Sequence, residues 1–372
     1  MTTDIVVCVG PGGVGKTTMA AALAVSAARS GRRVVLITVD PARRLADALG
    51  LASEASDPDS ADRADERRLG GSGALGNEPR RLPLDDTGTE TGTGELWASM
   101  LDVRATFDGL IREHATDDAQ ARRVLDNRLY DDLTTSLSGT HEYMAAERLR
   151  ALHVDDRFDL VVVDTPPSRH ALDLLDAPGR LARFVDHRLY RSLLAPRKGV
   201  MRVVSAATQA LARAIGQLVG TTMLTDVTEF FAAFEGMDQG FRDRAAEIDA
   251  LLAGPTTRYV AVTAPAAQTV DETGWLVAEL AGRGRRVDLV VANRVLPDFG
   301  WRPEPARTPD PLDVNLADLA TRRDAQLGEL GALAGDGSRP LIQVEERAEP
   351  VTDADALAAL STQLDEAWNR LG

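Results

Sequence analysis

The sequence predicts an α/β fold, with a mostly parallel central sheet covered by helices on both faces and an inserted α-helical subdomain. Short apolar, β-branched runs recur along the chain with helical stretches between them, which is the pattern of a parallel sheet. Two long stretches, Trp97–Leu152 and Leu181–Leu252, carry few strand signals and predict the helical insertions. The predicted strands are Asp4–Val9, Val34–Val39, Leu160–Val163, Tyr259–Thr263, Val287–Ala292 and Leu341–Val344.

Length, composition and charge limit the class of protein. The 372 residues are 44% hydrophobic, which is enough for a sizeable core in one large or two modest domains. The net charge of −15 argues against nucleic-acid binding, because that function needs a basic surface. The only cysteine, Cys8, excludes an intramolecular disulfide and a thiolate cluster, and we expect it to be a small core residue.

No segment predicts membrane insertion or export. The N-terminus lacks a charged region followed by an apolar signal core, so we expect a cytoplasmic protein. The best candidate span, 203–219, is interrupted by polar residues including Arg213 and does not predict a transmembrane helix. The tail 353–371 is amphipathic but acidic, which argues against a helix that lies on a membrane.

Residues 7–18, V-C-V-G-P-G-G-V-G-K-T-T, contain the phosphate-binding pattern G-x-x-x-x-G-K-[ST]. The pattern lies between the first predicted strand and an Ala-rich stretch, Lys16–Arg29, that predicts a helix. In this context loop N–H groups and a helix N-terminus hold phosphates. The motif therefore predicts a P-loop NTPase fold, with Lys16 on the β/γ-phosphates and the Thr17 hydroxyl on Mg²⁺.

Asp40 follows the second predicted strand in the stretch T-V-D-P-A, at the edge of the sheet where phosphates bind. A carboxylate there could position or deprotonate the water that attacks the γ-phosphate. An aspartate before proline is also a common helix N-cap, here for a helix starting near Ala42. Taken alone, the sequence leaves both roles open.

Two other predicted strands also end in polar residues. Asp164 closes an apolar strand before a Pro166-Pro167 turn, which is the layout of an acid that holds Mg²⁺ directly or through water. His170, shortly after, could be a switch residue, although an ordinary surface histidine is the simpler interpretation. Asn293 ends a later strand, and its amide can both donate to and accept from an adenine edge, a signal that is weak alone.

The joint order of these motifs resembles the ArsA/Get3 family, the arsenite-pump and tail-anchored-protein-targeting ATPases of the signal-recognition/MinD class. The motifs are G-x-G-G-V-G-K-T-T, T-x-D-P-A, D-T-x-P-x-x-H-x-L and a late strand ending in asparagine. The stretches Asp164–Asp186 and Ser136–Tyr143 look closest to actinobacterial members. The resemblance implies a dimeric, Mg²⁺-dependent ATPase that opens and closes with the state of bound ATP.

The resemblance also implies a role for each matching residue. Asp40 matches the first-switch aspartate that positions the attacking water, and with Lys16 it forms the predicted catalytic pair. Asp164 matches the acid that opens the second switch, and Asn293 matches the adenine-binding asparagine. The matching phosphate loop consists of Gly12, Gly13, Val14, Gly15, Lys16, Thr17 and Thr18.

The sequence departs from the family pattern at Pro11 and in its cysteines. The family usually carries a lysine at this position, which crosses the dimer interface to the partner's nucleotide, whereas proline has neither a charge nor an N–H. The paired cysteines that share zinc between subunits are missing, as are those that bind arsenite. We therefore prefer a heterodimer with a lysine-bearing paralogue over a homodimer, the alternative being an arginine such as Arg43 that supplies charge in cis.

Two functional interpretations follow, an ATPase and an ATP-binding subunit that holds a client or regulates a partner with little turnover of its own. The apolar helical face from Val203 to Leu218 either packs inside the helical subdomain or forms a groove for an apolar protein client. The sequence does not separate these two uses of the face.

The predicted domain organisation interleaves a core with insertions. The stretch 52–95 is acidic, glycine-rich and without aromatic residues, so we expect Ser53–Glu78 to form a disordered loop. The predicted parts are a nucleotide-binding core with the first switch (1–50), the acidic insertion (51–95), the first part of the helical subdomain (96–155), the core with the second switch (156–180), the second part of the helical subdomain (181–255) and the adenine-binding side of the core (256–372).

Overall fold

The computed structural model describes residues 3–39, 77–84, 94–128, 130, 139–186, 230, 232–234, 236–302, 310–334, 339–351 and 353–371. The chain divides into two compact units. The sheet unit contains Met1–Leu101, Leu149–Leu172 and Ala253–Gly372, and the helical unit contains Asp102–Arg148 and Asp173–Leu252. Along the chain, the two units meet after residues 101, 148, 172 and 252. The corresponding domain boundaries predicted from the sequence lie after residues 95, 155, 180 and 255.

Eight strands form one sheet in the sheet unit. They are β1 (Asp4–Val9), β2 (Arg33–Thr38), β3 (Arg80–Leu82), β4 (Glu95–Met100), β5 (Leu160–Asp164), β6 (Thr257–Thr263), β7 (Val287–Val295) and β8 (Leu341–Glu345). Their order across the sheet is β3-β4-β2-β5-β1-β6-β7-β8. Only β3 and β4 are antiparallel, so the predicted mostly parallel sheet is confirmed.

Described helices separate most consecutive strands along the chain. They are α1 (Lys16–Arg29), α2 (Val103–His114), α3 (Asp118–Leu125), α4 (Thr140–His153), α5 (Ser168–Asp186), α6 (Asp238–Ala253), α7 (Ala267–Gly282), α8 (Pro311–Ala334), α9 (Ala354–Ser361) and α10 (Asp365–Leu371), with a 3₁₀ turn between the last two. The predicted bounds of β1 and α1 agree with those observed. Helices α7 and α8 pack against β6 and β7.

Two strands depart from the sequence-based prediction. β4 occupies the start of a stretch that we expected to be helical, and the first helix of that stretch, α2, begins only at Val103. β3 lies inside the stretch expected to be a disordered insertion, although most of that stretch is outside the described residues. β4 is partly buried because it pairs with β2, and β3 then covers its free edge. Two residues of β3 are exposed arginines, a composition that discourages further pairing.

Helix α1 and the C-terminal helices α9 and α10 pack on one face of the sheet. Alternate residues of the strands, including Val6, Leu36 and Val162, share one apolar cluster with α1, α9 and α10. The alanines of α1 are fully buried, so the small side chains of this helix are covered on both the sheet side and the outer side. This packing fixes the helix whose first residue is Lys16.

The C-terminal helices are also tied to α1 by polar contacts. Ser26 Oγ donates to Asp365 Oδ1 at 2.5 Å and accepts from Trp368 Nε1 at 3.2 Å. Arg29 donates to the Ala358 carbonyl oxygen at 3.3 Å. A helix that opens at the phosphate loop therefore has its outer surface covered by the last part of the chain.

The helical unit has its own aromatic and ionic core. Phe230 and Phe234 are buried with ring centroids 4.7 Å apart, so these two side chains pack internally. Arg244 is buried and forms ion pairs with Glu147 at 2.8 Å and with Glu113. The apolar face predicted from Val203 to Leu218 lies outside the described residues, and its use as a client groove stays a prediction.

A helix that spans a bilayer must be both long and apolar. Among the described residues, no helix combines enough length and apolar character to span a membrane.

Candidate nucleotide-binding site

The phosphate loop runs from the end of β1 to the start of α1, as predicted. Gly10 lies so close to β6 that a Cβ atom there would overlap the Val262 carbonyl oxygen. Its own carbonyl oxygen accepts from the Ser168 N–H at 3.0 Å. The first glycine of the motif is therefore required by the close approach of two backbone segments to the loop.

The end of the loop is formed by Gly15, which caps α1 in the left-handed conformation with φ of 91°. This conformation strongly favours glycine, and it turns the chain into the helix without a side-chain cap. The first turn of α1 contains no acidic residue. The helix N-terminus therefore keeps its partial positive charge for an anion.

Lys16 is buried at the start of α1, with only 8% of its surface exposed. Its ammonium group donates to the Pro11 carbonyl oxygen at 2.7 Å, so the charged end of the side chain folds back over the loop. Pro11 itself is buried. Since the bond uses the backbone carbonyl, proline can serve here even though it offers no N–H and no charge.

The basic residues of the chain are almost all arginine. Of the 42 lysines and arginines, two are lysines, Lys16 and Lys198. A lysine ammonium is compact, whereas the arginine guanidinium is a wide planar group. A lysine in this buried position, in a chain whose other basic residues are nearly all arginine, fits a site that needs a small point charge.

Asp164 lies at the end of β5 in one row with residues of the two neighbouring strands. It pairs in register with Cys8 of β1 and with Thr38 of β2. Asp164 is 1% exposed, and its Oδ2 accepts from the Thr38 hydroxyl at 3.2 Å. The acid predicted at this edge is thus a buried carboxylate oriented by a threonine that the sequence analysis did not single out.

Burial and neighbouring charges shift the pKa of the Cys8 thiol, which lies in this row. The thiol is fully buried, and burial together with the nearby Asp164 carboxylate raises its pKa far above the usual range, while Lys16 opposes this shift. The raised pKa keeps the thiol protonated, so Cys8 is the small core residue that we expected.

The turn after β5 connects the acid to the phosphate loop. The Thr165 hydroxyl donates to the Cys8 carbonyl oxygen at 2.6 Å, which anchors the turn to β1. A Cβ atom on Gly12 would lie 3.9 Å from Pro167, so the double-proline turn lies beside the loop. Ser168 then donates its hydroxyl to Glu272 Oε1 of α7 at 2.7 Å.

Asn293 also reaches the loop, from β7. Its side-chain amide donates to the Val14 carbonyl oxygen at 2.8 Å, and its Oδ1 accepts from the Arg294 N–H at 2.9 Å. β7 does not end at this asparagine, as the sequence suggested, but continues to Val295. The predicted adenine-binding residue is therefore in contact with the phosphate loop.

The described residues bring together most of the predicted site. The loop residues, Asp164 and Asn293 meet at the carboxyl edge of the parallel strands, where open α/β sheets bind ligands. Asp40 and Arg43 lie outside the described residues. His170 lies on the surface in the first turn of α5.

Sequence reasoning missed four polar residues that shape the site, Thr38, Thr165, Ser168 and Glu272. Three of them stand in or next to motifs that the sequence analysis quoted, and their small hydroxyl side chains were a usable signal. Glu272 follows β6 by nine residues and had no local signal, because only the packing of α7 brings it to the turn.

The fold and the loop define a P-loop nucleotide-binding protein. The chain belongs to the ArsA ATPase family, because the family model described as anion-transporting ATPase matches residues 3–59 and 94–302. The resemblance seen in the motifs is thereby confirmed.

Individual relatives agree with this assignment. An uncharacterized protein of Streptomyces coelicolor is 31% identical over 289 residues, covering 78% of this chain and 62% of that protein. The ATPase ASNA1 homolog 1 of Paramecium tetraurelia is 25% identical over 300 residues, covering 77% and 73%. The ATPase GET3 of Podospora anserina is 24% identical over 287 residues, covering 77% and 71%. The alignment thus spans less than two thirds of the bacterial relative.

Proposed function

We propose that this chain is a magnesium-dependent ATPase that hydrolyses ATP to ADP and phosphate. The observation that carries the proposal is the position of Lys16, buried at the N-terminus of α1 with its ammonium group over the phosphate loop. Asp164 lies at the same edge of the sheet, which supports its proposed role as an acid near the bound phosphates. Relatives named ATPases support the choice of reaction.

The side chains at this edge suit Mg²⁺. The Thr17 hydroxyl and the Asp164 carboxylate are hard oxygen donors, which Mg²⁺ prefers, and the neighbouring Cys8 thiol is kept protonated by burial. Thr17 would bind the ion directly and Asp164 directly or through water. A magnesium ion held by these residues would supply positive charge to offset the negative charge that develops on the phosphates.

The protein's own groups supply binding and orientation. The N–H groups of the loop and the N-terminus of α1 hold the phosphates, and Lys16 exchanges the Pro11 carbonyl for a phosphate oxygen. Asp40, following Val39, positions the attacking water. This role is supported by the observation that the chain leaves β2 beside Asp164, since the Val39 N–H donates to the Asp164 carbonyl oxygen at 3.1 Å.

Calorimetric titration with ATP and Mg²⁺ tests the proposal. We expect Lys16→Ala to weaken ATP binding by about 100-fold or more, because a charge-assisted contact to phosphate is lost. Lys16→Arg keeps the charge but not the compact shape, and we expect it to fail as well. Lys198→Ala removes the other lysine and is the matched control. Equal ATP affinities of all four proteins would contradict the assignment.

A second candidate function is an ATP-binding subunit that holds a client or regulates a partner. The buried Pro11 favours it, because this chain offers no lysine at the position where the family carries one. A charge that reaches the transition state from a partner is worth about 10³–10⁵ in rate. Its absence predicts weak turnover by the chain alone.

The two candidates combine in a heterodimer with a lysine-bearing paralogue, which we propose as the working assembly. In that pair the paralogue's lysine reaches the nucleotide of this chain, and hydrolysis couples to opening and closing of the dimer. The test is turnover of the purified chain alone and mixed with such a paralogue from the same cell. A rate rise that disappears when the paralogue's lysine is changed would support the heterodimer.

Pro11→Lys is the complementary variant. If the homodimer only lacks the lysine, this substitution raises turnover of the chain alone. Full activity alone, unchanged by mixing and by Pro11→Lys, would contradict the heterodimer and leave an arginine in cis such as Arg43 as the source of charge.

A further inference from the structure

Asn293 contacts the phosphate loop through the nitrogen of its side-chain amide, and the oxygen of the amide bonds to its own strand segment. The amide nitrogen donates to the Val14 carbonyl oxygen at 2.8 Å, and Oδ1 accepts from the Arg294 N–H at 2.9 Å. The residue is 9% exposed. Two bonds in a buried position hold the side chain in one orientation, with its donor directed at the loop.

An irregularity in β7 places this side chain. Between Ala292 and Val295 the register against β8 shifts, since Ala292 pairs with Gln343 and Val295 with Glu345. Arg294, inside the shift, is the one described residue other than glycine with positive φ, at 61°. Bulges of this kind re-aim a side chain at the end of a strand, and a non-glycine residue in this conformation is uncommon.

The contact falls on the Val14–Gly15 peptide, one peptide before the one that leads into Lys16. The Val14–Gly15 peptide is planar, so its carbonyl oxygen and its N–H point in opposite directions. The bond from Asn293 to the Val14 carbonyl therefore also fixes the direction of the Gly15 N–H. A Cβ atom on Gly15 would overlap the Asn293 amide nitrogen, so glycine is also required here by the approach of Asn293.

We infer that Asn293 is a positioning residue for phosphate binding, which holds the Val14–Gly15 peptide so that the loop N–H groups are oriented before the ligand arrives. Donors that are already oriented bind an anion more tightly, because no ordering cost is paid on binding. This role is additional to the adenine contact implied by the family resemblance. The amide keeps a second hydrogen and a second lone pair for a base. The inference rests on the proposed function, because it concerns the same nucleotide site.

Two ligands separate the roles. ATP carries an adenine and a triphosphate, whereas inorganic tripolyphosphate carries only the phosphates. With Mg²⁺ present, we expect Asn293→Ala to weaken the binding of ATP and of tripolyphosphate, each by about tenfold, as for the loss of a buried hydrogen bond. Asn293→Asp keeps the acceptor for the Arg294 N–H but sets an oxygen against the Val14 carbonyl, and should weaken both ligands at least as much.

Gln326→Ala provides the matched control. The Gln326 side chain accepts from the Leu296 N–H at 2.9 Å, so it holds the same segment three residues beyond Asn293 through a bond to the strand end and not to the loop. We expect this variant to bind both ligands as the wild type does. A reduced affinity for ATP alone in Asn293→Ala would assign the residue to the base and overturn the inference, as would unchanged affinity for both ligands.

Hydrogen exchange of the protein without any nucleotide gives a second readout. The peptide covering residues 9–19 should exchange about tenfold faster in Asn293→Ala than in the wild type or in Gln326→Ala, because the loop opens more readily. Unchanged exchange would overturn the inference. Faster exchange in a protein whose wild type binds neither ATP nor tripolyphosphate would instead remove the proposed function and leave the contact as a structural one.

Discussion

The Ser168 hydroxyl donates to Glu272 Oε1 at 2.7 Å and joins the turn after β5 to helix α7. The Ser168 N–H donates at the same time to the Gly10 carbonyl oxygen at 3.0 Å. One residue therefore ties the double-proline turn to the phosphate loop and to a helix on β6. Because Asp164 precedes this turn by two residues, the bond to Glu272 bears on where the acid lies.

The first prediction concerns this pair. Ser168→Ala and Glu272→Ala should each lower kcat by about tenfold with little change in KM for ATP, since a bond to a charged acceptor is worth about 1.5–3 kcal/mol. The double variant should be no worse than either single one, which gives a coupling energy of about 1.5 kcal/mol. Steady-state ATPase assays of the four proteins measure it.

Conservative and control variants sharpen that test. Ser168→Thr keeps the hydroxyl and Glu272→Gln keeps an acceptor oxygen, so both should retain activity. Glu279→Ala, on the same helix and paired with Arg283 at 2.5 Å, should behave as the wild type. Additive losses in the double variant would mean that the two residues act separately.

The second prediction separates the two roles of Asp40. Asn is as good a helix N-cap as Asp, so Asp40→Asn keeps a cap while it removes the carboxylate. We expect ATP binding within about threefold of the wild type and turnover reduced by about 100-fold or more. Calorimetry and single-turnover assays measure the two quantities. If Asp40→Asn keeps its turnover, Asp40 serves as the cap.

The third prediction concerns the glycines of the loop. Gly10→Ala places a Cβ atom against the Val262 carbonyl oxygen of β6, and we expect it to lower the free energy of unfolding by about 3 kcal/mol. Gly12→Ala places its Cβ atom 3.9 Å from Pro167, an ordinary contact, and should change stability by less than about 0.5 kcal/mol. Denaturant unfolding of both variants decides the matter. Equal stability would mean that β1 and β6 can separate at this point.

The fourth prediction concerns Cys8 and soft metalloids. Burial and the Asp164 carboxylate raise the pKa of the thiol, so the nucleophilic thiolate is depleted near neutral pH. A thiol reagent should react with the native protein far more slowly than with the unfolded chain.

Arsenite and antimonite should not stimulate ATP hydrolysis, because a single buried thiol cannot supply a three-coordinate sulfur site. Saturable stimulation that persists in Cys8→Ser would show that the metalloid binds elsewhere.

The regular part of the fold could be predicted from the sequence because its signals are local. The β-branched run of β1 and the Ala-rich stretch of α1 set their own limits, and the observed bounds agree with the prediction. β3 has three residues, two of them arginine, and only its pairing with β4 makes it a strand. β4 contains Trp97 and Ser99 among its apolar residues, a mixed pattern that is buried because β2 lies beside it.

The site residues also divide into those with a local sequence signal and those placed only by the fold. Lys16, Thr17 and Asp164 stand in motifs whose spacing already carries their chemistry. The contact of Asn293 with Val14 joins residues 279 positions apart and depends on the bulge at Arg294. Nothing in the local sequence fixes that register, so the bracing of the loop could not have been predicted.

The contact between Ser26 and Asp365 also has a consequence for biosynthesis. The two residues are 339 positions apart, and α1 is covered on its outer surface by α9 and α10. At roughly 5–20 residues per second, a ribosome needs roughly 20–70 seconds to pass from one residue to the other. Throughout that time the nascent chain exposes the alanine-rich surface of α1, so the helix that opens at the phosphate loop is among the last to be completed and offers chaperones an apolar target.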